Sequence, residues 1–279
     1  MSITEEFEEI PHELYKHSYQ PRGHQRDKEA LWILNELYYN MGRTRESKTY
    51  GRGSWGYTVF RTVYTEESDK LFPIAMRRLE RWVVQYYVHA TRFPMFGVRG
   101  EKWKKADGIL NDYLGSRFRL DVVEDKDRLD LPDLGKANQN DIKSLCGRFR
   151  EWIAGVGGDP DEEHPLSPRL YDFTVIDEGA LRVLAALPDE SPPLRVATTW
   201  EEKREWLKES DLAYIWLIDY KTVERWDGKD PLFRGWGKLA PYSISNTWFQ
   251  RSSRLDRDNW VLAIHEQPKD SGDYWLVAE

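Results

Sequence analysis

Residues 55–64 (WGYTVFRTVY) are almost all β-branched or aromatic and show no polar face. Such a run predicts a central strand covered on both sides of its sheet. The period then changes. Phe72, Ala75, Met76, Leu79, Trp82, Val83 and Tyr86 recur at three- and four-residue spacing, the apolar stripe of an amphipathic helix. Residues 65–68 (TEES) offer capping oxygens and early acids, and Pro73 suits only a helix start. The pattern therefore predicts a first turn, then a regular helix over 73–90.

Before this block, residues 1–24 have no sustained period and read as an extended arm. Ala30, Leu31, Ile33, Leu34, Leu37 and Tyr38 predict a helix over 27–39, and 42–53 reads as a flexible stretch. After it come a helical run at 102–114 and a strand-like run at 117–123. A helix is predicted over 139–153, with Ile142, Leu145, Cys146, Phe149, Trp152 and Ile153 on one face. Residues 155–168 (GVGGDPDEEHPLSP) are dense in glycine, proline and acid and read as a linker or long loop. Beyond it the pattern predicts a strand at 173–176, helices at 177–187 and 200–209, and a second central strand at 214–218. A closing hairpin is predicted from 260–265 and 274–277. Interspersed helices and strands with a closing antiparallel pair define an α+β class, a mixed or antiparallel sheet packed with amphipathic helices. The division that follows is an arm over 1–24, one α+β subdomain over 25–154, the linker, and a second α+β subdomain over 169–279 packed on the first.

Thirteen tryptophans among 279 residues sharpen this picture, since each ring adds a large apolar body and one N–H that needs a partner near the core boundary. The single Cys146 excludes an intramolecular disulfide, and the opening MSITEEFEEIPHEL has neither the basic nor the apolar region of a secretory signal. A cytoplasmic, soluble protein is expected. The longest apolar stretches, such as 213–218, fall far short of the ~20 residues of a membrane span. A net charge of −7 argues against nucleic acid as a partner, because phosphate-backbone binding needs clustered Lys and Arg. One local exception is Arg77, Arg78 and Arg81, followed by Arg92, Arg99, Lys102, Lys104 and Lys105, with Trp82 and Trp103 interleaved. It reads either as the solvated face of a helix or as a seat for an anion or acidic partner.

Strand alternation places Arg61 with Trp55, Tyr57, Val59 and Val63, and places Phe60 and Tyr64 on the opposite face. A guanidinium there demands either an internal carboxylate or an anionic ligand. The ligand reading makes Arg61, Trp55, Tyr57 and Tyr64 the candidate binding residues of an aromatic-lined cleft. Two segments share a plan, 173–177 (FTVID) and 214–219 (YIWLID), each a buried strand ending in Ile-Asp and entering a helix-like stretch. Asp177 and Asp219 are then either helix N-caps or a carboxylate pair for acid/base work. His265 and Glu266 end a predicted strand, where His265 is either structural or a proton-transfer group. His89 reads as a favourable cation near a helix C-terminus.

No metal site and no cofactor are expected. One cysteine and the absence of His-x-x-x-His spacing leave no recognisable ligand set. Residues 51–56 (GRGSWG) match G-x-G-x-x-G, but they precede a strand instead of following one. There is no Gly-x-Ser-x-Gly elbow, and Cys146 falls on an apolar helix face.

The strand 55–64, the acidic turn and amphipathic helix behind it, and 173–181 (FTVIDEGAL) together resemble a large group of cytosolic proteins of filamentous ascomycete fungi with no assigned function. The resemblance covers about half of the chain in short segments, and it implies no activity, cofactor or site residue. The expected function is that of a binding protein with an aromatic-lined cleft or interaction surface, taking a small anionic ligand or a protein partner. The alternative is a metal-independent acid/base enzyme, of the kind found in fungal secondary metabolism, drawing on His265, Glu266, Asp177 or Asp219.

Overall fold

In the computed structural model the described residues are 54–92, 115–162, 167–189, 212–229, 234–252 and 275–276. The apolar run forms β1, Thr58–Arg61, and all four of its residues are buried. It has parallel neighbours on both sides, β2 (Asp121–Glu124) and β3 (Asp172–Ile176). Beyond β3 lie β4 (Ile215–Asp219), antiparallel to it, and β5 (Trp236–Leu239), antiparallel to β4. A short β6 (Trp275–Leu276) pairs parallel with β5. The order β2-β1-β3-β4-β5-β6 makes one mixed sheet. The fold is α+β.

Side-chain alternation divides the sheet between two cores. Tyr57, Val59, Val63, Ile215, Leu217 and Leu239 enter one, packed under α1 (Glu66–Arg92), α3 (Glu178–Ala186) and α5 (Ile244–Ser252). Phe60, Phe173, Val175, Trp216, Ile218 and Trp236 enter the other, covered by α2 (Gln139–Gly155) and α4 (Tyr220–Arg225). Phe149 of α2 stacks on Phe173 with ring centres 4.5 Å apart, and Phe60 lies 4.9 Å from Phe173. Both cores draw residues from either side of the 155–168 stretch, and β1 pairs directly with β3. Strands from both sides of that stretch therefore share one sheet.

Local signals explain the helices. Asn138 accepts from the Asn140 and Asp141 N–H groups while Asp141 returns a bond to the Asn138 N–H, a complete capping box for α2. Thr65 and Ser68 reciprocate at the head of α1, with Ser68 N–H donating to Thr65 Oγ1 (3.1 Å) and Thr65 N–H to Ser68 Oγ (2.7 Å). The expected stripe is buried at Phe72, Ala75, Leu79, Trp82 and Val83, and Met76 packs partly buried against it. One expectation fails: α1 runs unbroken from Glu66 with Pro73 inside it. Pro73 lies on the exposed side of the helix, where a carbonyl left without its N–H partner can be bonded by water. The run 117–123 yields a strand only from Asp121, preceded by an isolated bridge between Trp55 and Phe118.

Readings at 1–24, 27–39, 42–53, 102–114, 200–209 and 260–265 lie outside the described residues, as do Arg99, Lys102, Trp103, Lys104, Lys105, His265 and Glu266. No described helix is long and apolar enough to cross a membrane.

Gly56 holds the approach to β1 at φ +119°, and a Cβ there would collide with the Arg119 carbonyl oxygen, which is backbone and has little room to yield. Gly56→Ala combines backbone strain with that clash and is expected to cost roughly 3 kcal/mol or more. Urea unfolding of the two proteins measures the difference; a loss below about 1 kcal/mol contradicts the packing of the Gly56 turn on Arg119.

Candidate functional site

The Arg61 side chain is 9% exposed and its donors turn inward. Nε donates to the Val63 carbonyl (2.9 Å), Nη1 to Glu124 (2.9 Å), and Nη2 to Ser68 Oγ (3.2 Å) and to Asp69. Its guanidinium carbon lies 4.8 Å from the Phe72 ring centre and 5.0 Å from that of Tyr64, whose hydroxyl donates to the Arg61 carbonyl (2.6 Å). Arg61 is therefore an internal ion pair that ties β1 to β2 and to the first turn of α1. The anion-anchor reading is corrected accordingly: an incoming anion would have to displace two carboxylates. Trp55 and Tyr57 are fully buried in the core beneath α1 and α5, so neither lines a surface, and Tyr64 is half-buried with its hydroxyl engaged.

The other end of the sheet is closed by two buried arginines. Arg169, 1% exposed, donates to Asp121 and to the carbonyls of Trp55 (3.1 Å) and Arg119 (2.9 Å). Arg251 of α5 makes a two-pronged contact with Asp172 (2.7 and 2.6 Å), reaches Asp219 (2.9 Å), and lies 4.8 Å from the Tyr171 ring centre. Burial works against its charge, but Asp172 and Asp219 outweigh that and hold it protonated beyond the usual range. The Tyr57 hydroxyl, buried nearby with no hydrogen-bond partner among the described residues, is pushed well above its ordinary pKa by burial and by Asp172.

These positions separate the carboxylate pair that the sequence suggested. Asp219 is in register with Asp172, at the start of β3, whereas Asp177 follows the end of that strand. Five strand residues put the two carboxylates on the order of 16 Å apart, too far to serve one reacting atom. Each is instead a helix cap. Asp177 accepts from Ala180 N–H (2.8 Å) and Asp219 from Thr222 N–H (3.1 Å). Asp177 also accepts from Leu134 N–H and the Trp216 indole N–H, both at 2.9 Å, and so joins a loop, a helix and a strand. Burial nevertheless outweighs these donors and raises its carboxyl above the ordinary range.

The half-open aromatic surface lies elsewhere, on β4 and β5. Trp216 is in register with Lys238, whose ammonium sits 5.5 Å from the Trp216 ring centre and 4.3 Å from that of Tyr214. The Tyr214 and Trp216 rings meet edge to face at 5.7 Å. One rung along, Trp236 is in register with Ile218, carries the Arg234 guanidinium 4.8 Å over its ring, and meets Trp226 edge-on at 5.4 Å. Gly235 at φ +89° lets this strand approach α4, since a Cβ would stand 2.7 Å from the Val223 nitrogen. Trp216 and Trp236 form the buried floor, and Tyr214, Trp226, Arg234 and Lys238 are the half-exposed rim. Trp216 cannot turn freely, because its N–H is committed to Asp177.

Among the described residues no three or more His, Cys, Asp or Glu side chains are grouped so as to hold a metal ion. Cys146 is buried, and its thiol is pushed far up by that burial. No family model matches the chain, and neither a curated protein nor a solved structure matches it.

The shelf was partly legible: 214–218 reads as a strand containing Tyr214 and Trp216. Lys238 and Trp236 were missed because β5 is four residues long, preceded by Gly235 and interrupted by Gly237, with no alternation to detect. Asp172 and Arg251 were missed because 79 residues separate them.

Two outcomes follow. Arg251→Met strands two buried carboxylates and is expected to cost about 3–5 kcal/mol by urea unfolding, a figure that an exposed ion pair could not reach. For Asp177, the native carboxyl holds its proton more tightly than the unfolded chain does, so this stabilisation is complete below the unfolded value of about 3.9 and is lost as pH rises through the raised native value. Asp177→Asn lacks that slope. Its stability deficit relative to wild type should therefore narrow from about pH 3.5 to 6.5 in urea midpoints, and a gap that widens contradicts the assignment.

Proposed function

We propose that the protein acts by binding, and that its ligand is a small planar anion seated on the Tyr214–Trp216–Trp236–Trp226 shelf. The observation that carries this reading is the seating of two half-exposed cations against aromatic rings, Lys238 beside Tyr214 and the buried Trp216, and Arg234 over the buried Trp236. Rings with a fixed orientation offer contact area at little entropic cost, and cationic heads at the rim complement a carboxylate, sulfonate or phosphate on the ligand. A few polar groups on an apolar floor is the ordinary make-up of a small-molecule site. Acid/base catalysis draws no support from the separation of Asp177 and Asp219. A cytoplasmic setting belongs to the same reading, and so does kinship with the fungal group whose segments this chain resembles; neither assigns a role to any residue.

The test is titration of the full chain with benzoate, 1-naphthoate and indole-3-acetate, followed by intrinsic tryptophan emission. At least one should quench or shift the emission, with affinity rising with ring area. Lys238→Ala should weaken that binding about five- to tenfold, the worth of a partly desolvated cation–π and charge contact. Arg61→Lys should leave it unchanged. Emission that no probe alters, or a Lys238→Ala protein that binds as wild type does, removes the proposal.

A further inference from the structure

A second anion-seeking locus lies on the helix α1, apart from the shelf and independent of it. Arg77, Arg78 and Arg81 converge on the turn that follows α3. Arg77 Nη2 and Arg78 Nε both reach Asp189 Oδ1 (3.4 and 3.1 Å), and Arg81 Nη1 donates to the Asp189 carbonyl (3.3 Å). Arg78 also donates to the Ala185 carbonyl at the last turn of α3, and the Trp82 indole N–H donates to Pro188 O (3.0 Å). The three arginines that open the basic patch are thus a clasp on residues 185–189.

Among the described residues, three guanidiniums face one carboxylate, and carbonyl dipoles at the end of α3 offset only part of that surplus. The arginines also differ among themselves. Arg78 has a side chain only 20% exposed and is held by Ala185, whereas Arg77 is 55% exposed and Arg81 is exposed as well. Asp189 itself is 57% exposed, so its ion pairs are weak and exchange readily with solvent anions. Arg78, foremost among the three, holds its carboxyl below the usual range. A monoanionic carboxylate thus occupies a seat whose surplus charge and several N–H donors suit a dianion with three acceptor oxygens.

We propose that Arg77, Arg78 and Arg81 form a phosphate-monoester seat, with Asp189 as the occupant in the free protein. A phosphoanion enters by displacing the Asp189 side chain from Arg77 and Arg78, while Arg78 keeps its bond to Ala185 and the turn stays docked through Trp82. No covalent step is involved.

The full chain is titrated at about pH 7.5, where a phosphate monoester is largely dianionic, with inorganic phosphate, a phosphoserine hexapeptide and the same peptide unphosphorylated. Calorimetry reads the affinity at constant ionic strength, and thermal melting controls for the fold. Binding should fall at least about tenfold in the Arg77→Gln/Arg81→Gln protein. It should tighten at least about threefold in Asp189→Asn, which removes the competing charge. The unphosphorylated peptide should not bind. Tighter binding of the phosphopeptide than of inorganic phosphate assigns the seat to a phosphorylated partner, and equal binding assigns it to a free phosphoanion; both support the seat. Phosphate binding that is absent from wild type, that survives the double arginine substitution, or that gains nothing from Asp189→Asn overturns it.

Discussion

A sheet with helices packed on both faces leaves buried polar chemistry almost nowhere to go except the ends of its strands. All four residues of β1 and all five of β3 and of β4 are buried, so a charge on any of them has to be matched inside the protein. Arg61, Asp172 and Asp219 all sit at strand ends, and all are matched. Burying an unpaired charge costs several kcal/mol, more than most single contacts return, and that penalty is what organises the charged residues here.

The two ends meet the penalty differently. At the start of β3, Arg251 and Asp172 are enclosed almost completely, so the contact is dry, two-pronged and rigid. At the end of β1, the partners of Arg61 are Asp69 and Glu124, whose side chains are 64% and 54% exposed. Water therefore weakens that pair, and packing against Phe72 does much of the holding. Neither end is open to a ligand without breaking native contacts. On the face of β4 and β5, the buried floor of Trp216 and Trp236 carries a half-exposed rim of Tyr214, Trp226, Arg234 and Lys238.

Arginine is the residue that joins distant parts of this chain. Arg169 links β2 to the entry of β1, Arg251 links α5 to β3 and β4, and Arg78 links α1 to the end of α3. A planar fork that stays charged at any physiological pH suits this work, since it can bond two or three acceptors from different segments at once. The Arg77–Arg81 clasp stands apart from the others in being exposed and over-supplied with positive charge.

Local sequence determined much of the fold. The α+β class, the buried character of 55–64, the stripe of α1, the face of α2, and the Asp177 and Asp219 caps all follow from period and capping chemistry within a few residues. The continuity of α1 through Pro73 did not follow, because it depends on which side of the helix meets water. Tertiary structure alone decided the site. Burial of Trp55 and Tyr57, the capture of Arg61 by residues at positions 69 and 124, the separation of Asp177 from Asp219, and the meeting of Lys238 with Tyr214 are set by strand order and register. Register joins residues distant in the chain, and no local pattern encodes which of them will face each other.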